Sequence, residues 1–226
     1  MTVLRAVFLD VDDTLVDFDR AARASLGATL GADADYELWR TLDHYRRYES
    51  GELDFQTMRD LRMADFLAMV GRDDDVPSAP GLEARRFDGL AQHYALYDDV
   101  LPCLDMLRAR GLLLGLITNN IASHQRHKIA AVGLAELFDA VVISGEVGVA
   151  KPDPAIFEHA CNVLGVGAHE AMHVGDNLVA DARGARDAGL LGVWLDRRGA
   201  HRGAHRDLEL GVTVVSGLAQ LADLVA

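Results

Sequence analysis

The sequence predicts an α/β fold, a doubly wound parallel sheet with a helical segment inserted after its first strand. Three observations lead there. From residue 97 onward, short β-branched apolar runs alternate with segments of helical periodicity, the rhythm of strands joined by right-handed crossovers. Between residues 17 and 95, apolar residues instead recur at three- and four-residue spacing, and no run reads as a buried parallel strand. The leading apolar run, residues 3–9, ends on Asp10-Val11-Asp12-Asp13-Thr14, and open α/β sheets bind their ligands at the carboxyl ends of strands.

Residues 3–9 read as a strand buried on both faces. If the chain turns after Asp10, the carboxylates of Asp10 and Asp12 converge on one small volume. Like charges are unfavourable there unless a cation is present or one group holds a proton. One carboxylate would then suit a nucleophile and hard-metal ligand, the other a proton donor. A turn or helix cap is the alternative, since Asp and Thr suit both.

Helices are expected over 21–30, 38–48, 55–70 and 82–94. Between them fall Gly31-Ala32-Asp33, Ser50-Gly51-Glu52 and a loop over 71–80, whose Asp73-Asp74-Asp75 run reads as solvated. A helix over 100–110 closes at Gly111, and a strand over 112–117 ends at Thr118-Asn119-Asn120. Helix 123–132 leads to strand 140–144, and Lys151-Pro152-Asp153-Pro154 precedes a helix over 155–164. A strand over 172–174 ends at Gly175-Asp176, and a helix over 178–188 stops at Gly189. Strands 190–195 and 212–215 and a helix over 216–225 complete the chain. The stretch 197–206 reads as a solvated loop, because Gly199 and Gly203 disfavour the helix that would pair His201 with His205 on a metal. The domains expected are a core of residues 1–16 and 96–226 and a helical insertion of residues 17–95.

With 226 residues, 50% hydrophobic and 25% charged, the chain has the composition of a soluble globular protein with one large domain or one domain plus an insertion. A net charge of −13 disfavours nucleic acid and anionic membrane as partners. No apolar run approaches membrane-spanning length, and no charged-then-apolar leader opens the chain, so a cytoplasmic protein is expected. Cys103 and Cys161 lack the spacing of a zinc site or redox pair and are expected to be reduced, buried thiols. Among 22 basic residues only Lys128 and Lys151 are lysine, so a lysine at a motif position stands out.

Four strand ends, or the loops after them, carry polar residues: Asp10 with Asp12, Thr118 with Asn119, Lys151, and Asp176 with Asp181. A parallel sheet can gather them on its carboxyl edge. In this order, DVDDT, the Thr of ITNN, the Lys of KPDP and GDNLVAD resemble the four motifs of the haloacid dehalogenase (HAD) superfamily of phosphohydrolases. The insertion matches that family's helical C1 cap in position and size, so the resemblance spans essentially the whole chain and implies a Rossmann-like core.

The resemblance implies a Mg²⁺-dependent phosphoric monoester hydrolase acting on a small phosphorylated metabolite. A sugar phosphate, phosphoglycolate or a nucleoside monophosphate is the class of substrate it implies. Asp10 would be the nucleophile, forming an aspartyl-phosphate. Asp12 would protonate the leaving oxygen and then activate the hydrolytic water. Asp10, the Asp12 carbonyl and Asp176 would hold Mg²⁺, with Asp181 supporting the metal shell. Thr118 and the Asn119 amide would bind phosphoryl oxygens, and Lys151 would neutralise the nucleophile and phosphoryl group. In the insertion, Arg46 and Arg47 beside the Ser50-Gly51-Glu52 break are candidates for reading the substrate's tail, with a solvated face as the alternative.

Three other readings differ on identifiable features. A haloacid dehalogenase expels a halide, needs no proton donor and lacks the acid that Asp12 supplies. A phosphomutase shares these motifs and differs in whether isomerised product replaces released phosphate. A phospho-accepting receiver module carries its acidic pair before the phosphorylated Asp and has no long helical insertion.

Overall fold

The computed structural model describes residues 3–199, 206–207 and 211–225, and the expectation for His201 and His205 lies outside them. The chain divides into two compact units, one of residues 1–18 and 95–226, the other of residues 19–94.

The first unit is built on a seven-stranded sheet. Its strands are β1 (Ala6–Leu9), β2 (Leu113–Thr118), β3 (Ala140–Ile143), β4 (Ala171–Gly175), β5 (Leu191–Leu195), β6 (Arg206–Asp207) and β7 (Val212–Val215). The order is β3-β2-β1-β4-β5-β7-β6, parallel throughout except for β6 against β7. The chain runs outward from β1 through β2 to β3, then crosses back to β4 on the other side of β1. Strand order therefore reverses around β1, and such a switch point is where doubly wound sheets open a crevice at their carboxyl edge.

Register brings the polar strand ends to one level. Leu9 is aligned with Leu116 on β2 and with Val174 on β4, so Asp10, Thr118 and Asp176 all emerge within about two residues of each other along the edge. Every residue of β1 and β4 is buried, as expected for central parallel strands covered on both faces. The α-helices of this unit are α6 (Val100–Ala109), α7 (Ala122–Ala131), α8 (Ser144–Val147), α9 (Pro154–Leu164) and α10 (Gly184–Asp187). One face of the sheet packs Phe8 and Ile117 against Ile156, Phe157 and Ala160 of α9. Asp153 starts that helix, accepting from the Ala155 N–H at 2.9 Å, and proline occupies its first turn.

The second unit is described by itself. It contains α2 (Tyr36–Thr41), α3 (His44–Glu49), α4 (Phe55–Met69) and α5 (Ala79–Leu90), together with most of α1 (Phe18–Leu30). The periodicity over 38–48 predicts one helix, and the structure has two. Leu42 takes an extended conformation that ends α2, and Asp43 stands at the start of α3, so the apolar pattern runs on across a backbone break. Asp73-Asp74-Asp75 opens a 3₁₀ turn, Asp73–Ser78, instead of an irregular loop. The interior is anchored by Trp39 packed edge-on to Phe66 and by Glu83, fully buried and bridging Arg59 and Arg86.

Three further differences concern the core. The short antiparallel strand β6 carries no alternating pattern and escapes sequence reading. The closing segment is a 3₁₀ turn, Leu218–Asp223, where a helix is expected over 216–225. The helix expected over 178–188 begins as a π-helical turn, Leu178–Arg183, and continues as the short α10, Gly184–Asp187. Among the described residues, no helix is long and apolar enough to cross a membrane. Cys103 and Cys161 are buried, and burial pushes their thiols up to about 12 and about 11.

Candidate active site

Asp10 follows β1, where the backbone is still tied to the sheet by its N–H to Val174 O at 2.9 Å. The chain then turns sharply: Leu15 and Val16 both donate to Val11 O, and Asp13 adopts a left-handed φ of 56°. Asp is among the few side chains that tolerate this conformation. Arg197, beyond β5, steadies the turn by donating to Thr14 O at 2.9 Å while pairing with Asp99 at 2.8 Å. The Thr14 hydroxyl accepts from the Asp176 N–H at 3.0 Å and so links the acidic turn to the end of β4.

Lys151 is almost fully buried, and each of its three N–H donors can be accounted for. Nζ lies 2.7 Å from Asp10 Oδ1, 2.6 Å from Asp181 Oδ1 and 2.7 Å from the Ile117 carbonyl. Burial works against its ammonium, but Asp10 and Asp181 outweigh that and raise its pKa. The Asn119 side chain holds the backbone that presents it, donating to Lys151 O and accepting from Lys151 N, each at 2.8 Å.

Asp181 is delivered by the π-helical turn. The Asn177 side chain accepts from the amides of Val179 and Ala180 at 3.0 Å each, while its carbonyl accepts from Asp181 N at 2.9 Å. The wide turn sets the Asp181 carboxylate so close to Gly175 that a Cβ there would lie 2.2 Å from it. Asp181 also accepts from the Asn177 N–H at 2.9 Å and lies 3.1 Å from His173 Nε2. Burial opposes its ionisation, yet Lys151 and His173 hold its carboxyl well below the usual range.

One oxygen from each of Asp10, Asp176 and Asp181 falls within 4.8 Å of the others. Burial, followed by the neighbouring carboxylates, pushes Asp176 up to about 8. Burial also raises Asp10, to about 7, with Lys151 pulling the other way. Among the described residues nothing donates to the Asp176 carboxylate or to the second oxygen of Asp10. A cluster of carboxylates with unmet acceptor capacity fits a hard divalent cation such as Mg²⁺.

Asp12 points to a different set of partners. Lys128 Nζ lies 2.5 Å from its Oδ1 and 2.7 Å from its Oδ2, and Gln125 Nε2 lies 3.4 Å from Oδ2. Gln125 also donates to the Thr118 hydroxyl at 2.8 Å. The seven residues expected at the sheet edge, Asp10, Asp12, Thr118, Asn119, Lys151, Asp176 and Asp181, are thus drawn into two linked clusters in the first unit. Gln125, Lys128, Thr14 and His173 complete them, and none of the four was given a role in the site from sequence alone. The rarity of lysine was the available signal for Lys128.

Arg46 and Arg47 are on α3 of the second unit. Arg46 is 80% exposed and 3.3 Å from Asp43, and Arg47 pairs with Glu52 at 2.6 Å.

A family model for haloacid dehalogenase-like hydrolases matches residues 4–189. Glyceraldehyde 3-phosphate phosphatase of Methanopyrus kandleri is 33% identical over 215 residues, 92% of this chain and 88% of that protein. Human N-acylneuraminate-9-phosphatase is 31% identical over 217 residues, 87% of this chain and 84% of that protein. The fold matches the crystal structure of the HAD-hydrolase YfnB from Bacillus subtilis with a TM-score of 0.82 at 21% identity, covering 99% of each chain.

Proposed function

The chain belongs to the haloacid dehalogenase-like hydrolase family, and from that membership and the sheet-edge geometry we propose that it is a Mg²⁺-dependent phosphatase of small phosphorylated metabolites. Relatives above 30% identity over most of the chain are named phosphatases, and those two names carry different substrates. The shared chemistry is therefore phosphomonoester hydrolysis, with a sugar phosphate, phosphoglycolate or nucleoside monophosphate as the class of substrate. The observation that carries the reading is the Asp10 carboxylate, held by Lys151 at 2.7 Å and grouped with Asp176 and Asp181 at the strand-order switch.

In this reading, an Asp10 oxygen attacks phosphorus, the ester P–O bond breaks, and the departing oxygen takes a proton from Asp12. Water then attacks the phosphorus of the aspartyl-phosphate and gives its proton to the Asp12 carboxylate. Inorganic phosphate leaves and Asp10 is restored. The Thr118 hydroxyl and the Asn119 amide bind phosphoryl oxygens. Lys151 balances the charge of Asp10 and keeps Asp181 beside it. Asp10, Asp176 and the Asp12 carbonyl would hold Mg²⁺, supported by Asp181, and the ion would neutralise phosphoryl charge and orient the ester. Release of inorganic phosphate from a phosphorylated-metabolite panel, with and without chelator, tests the reading. Isomerised product without phosphate would point to a mutase, and full activity in chelator would remove the ion.

The carboxylate cluster also makes a prediction that needs no turnover. Mg²⁺ should raise the melting temperature of chelator-treated protein, by an amount equivalent to about 2.7 kcal/mol at a hundredfold excess over its dissociation constant. Asp176→Asn should abolish that rise. An equal rise in the variant would place the ion elsewhere.

For Asp12, we expect Asp12→Ala to lower kcat/KM for an alkyl phosphate ~10²–10⁴-fold, the range of general acid catalysis, and to affect an activated aryl phosphate far less. The parameter kcat/KM isolates formation of the phosphorylated enzyme, where leaving-group protonation matters. Equal losses would remove Asp12 from the acid role.

Arg46 and Arg47 form part of the same proposal as readers of the substrate's tail. Changing both to Ala should raise KM for the best metabolite from the panel and leave an aryl phosphate without a charged tail unaffected. An unchanged KM for both would leave these arginines as surface partners of Asp43 and Glu52.

A further inference from the structure

Lys128 is 2% exposed and lies in the core unit, yet nothing in the reaction outlined above uses it. It sits on a short helix, α7 (Ala122–Ala131), whose buried residues are Gln125, Lys128 and Ile129. A helix normally turns its apolar side chains inward, and lysine is almost never fully buried unless paired. Residues three apart share a helix face, so burying Gln125 and Lys128 together gives α7 a polar inner face aimed at Asp12 and Thr118.

The hydrogen bonds there have only one consistent direction. The backbone N–H of Ile121 must donate, and it does so to Asn120 Oδ1 at 2.8 Å, which turns Asn120 Nδ2 towards Gln125 Oε1 at 2.9 Å. An ammonium can only donate as well, and Lys128 Nζ lies 3.1 Å from the same Gln125 Oε1. Two obligatory donors therefore fix the amide, leaving Nε2 to donate to Thr118 Oγ1 at 2.8 Å and towards Asp12 Oδ2 at 3.4 Å. With a lone pair of Thr118 occupied by Gln125, the hydroxyl's own proton is directed elsewhere. Lys128 meanwhile spans both oxygens of Asp12, and the Phe18 ring lies 4.4 Å from its ammonium.

We propose that Gln125 and Lys128 are a positioning pair: Lys128 sets the Asp12 carboxyl for proton transfer, and Gln125 sets the Thr118 hydroxyl as a donor to the phosphoryl group. This rests on Asp12 as the general acid. The alternative role for the pair is stabilisation of the fold alone.

The two residues should leave different kinetic signatures. Lys128→Met acts through Asp12, so its loss in kcat/KM should be at least about tenfold larger for an alkyl than for an activated aryl phosphate, within the span available to general acid catalysis. In an Asp12→Ala background, Lys128→Met should add almost nothing. Gln125→Leu acts through Thr118, which meets the phosphoryl group common to both substrates, so it should lower both kcat/KM values about equally.

Melting curves of each variant separate misfolding from lost positioning. Equal losses on both substrates for a folded Lys128→Met protein, or losses additive with Asp12→Ala, would overturn the proposal while leaving the Asp12 assignment standing. If Asp12→Ala itself shows no preference for leaving group, the acid assignment fails and the proposal fails with it. Should Lys128→Met not fold, Gln125→Leu decides: wild-type kcat/KM on both substrates overturns the pairing, and an equal loss on both in a folded protein supports it.

Discussion

Asp10→Asn is expected to abolish turnover while leaving the fold and the sheet intact. The change keeps the shape of the side chain but removes the negative charge that must attack phosphorus, and an amide offers no equivalent nucleophile. It also converts the Lys151 contact at 2.7 Å from an ion pair to a bond between the ammonium and a neutral amide oxygen, so that lysine loses part of its hold on the edge. Stability should respond far less than activity. Asp10 is raised to about 7, chiefly by burial, so ionising it in the metal-free protein is already unfavourable, and a neutral isostere relieves that strain. Activity assays on phosphate release, paired with thermal melts, test both halves. Substantial turnover by a folded Asp10→Asn protein would remove Asp10 as nucleophile.

Lys151→Met should be as damaging to catalysis and much more damaging to the fold. The ammonium binds Asp10, Asp181 and the Ile117 carbonyl at once, in a nearly dry setting. Removing one partner of a buried ion pair leaves uncompensated charge, a loss of about 3–5 kcal/mol. Two carboxylates and a carbonyl each lose a donor here, and Asp176 stands close to both carboxylates. The metal-free protein should therefore show a large drop in denaturation midpoint. A second change, Asp181→Asn, should recover part of it by removing one of the stranded charges. A Lys151→Met protein as stable as wild type would mean that the cluster is solvated or protonated, and not held by this lysine.

Much of this edge was legible because strand ends carry their own punctuation. Apolar runs such as those before Asp10 and Thr118 mark buried strands, and parallel register then levels their ends without knowledge of side-chain contacts. What the sequence hides is direction within irregular turns. Nothing in the helical periodicity over 178–188 announces a π-helical turn, yet that turn carries Asp181 to within hydrogen-bonding range of Lys151. Asn119 was expected to act through its amide, and nothing in the sequence showed that its side chain clamps the Lys151 backbone. Gln125 and Lys128 were hidden for a different reason. Polar residues three apart on a helix ordinarily mark its solvated face, and only the packing of α7 shows that here they mark the buried one. The break between α2 and α3 was masked by apolar spacing that continues across Leu42. The antiparallel β6 is too short to carry any period at all.

The central claim is that the substrate's phosphoryl group passes through Asp10. Rapid acid quench during turnover in heavy-oxygen water, followed by mass spectrometry of the Asp10-containing peptide and of the released phosphate, tests it most directly. One phosphoryl group is expected on that peptide in the quenched protein. Heavy oxygen is expected in the released phosphate and none in the Asp10 carboxylate, because water attacks phosphorus. Heavy oxygen incorporated into Asp10 would mean that water attacks the acyl carbon, as an ester hydrolysed at carbon requires. An unmodified peptide, with phosphate released at the full rate and the quench shown to trap an authentic acyl phosphate, would contradict the covalent route altogether.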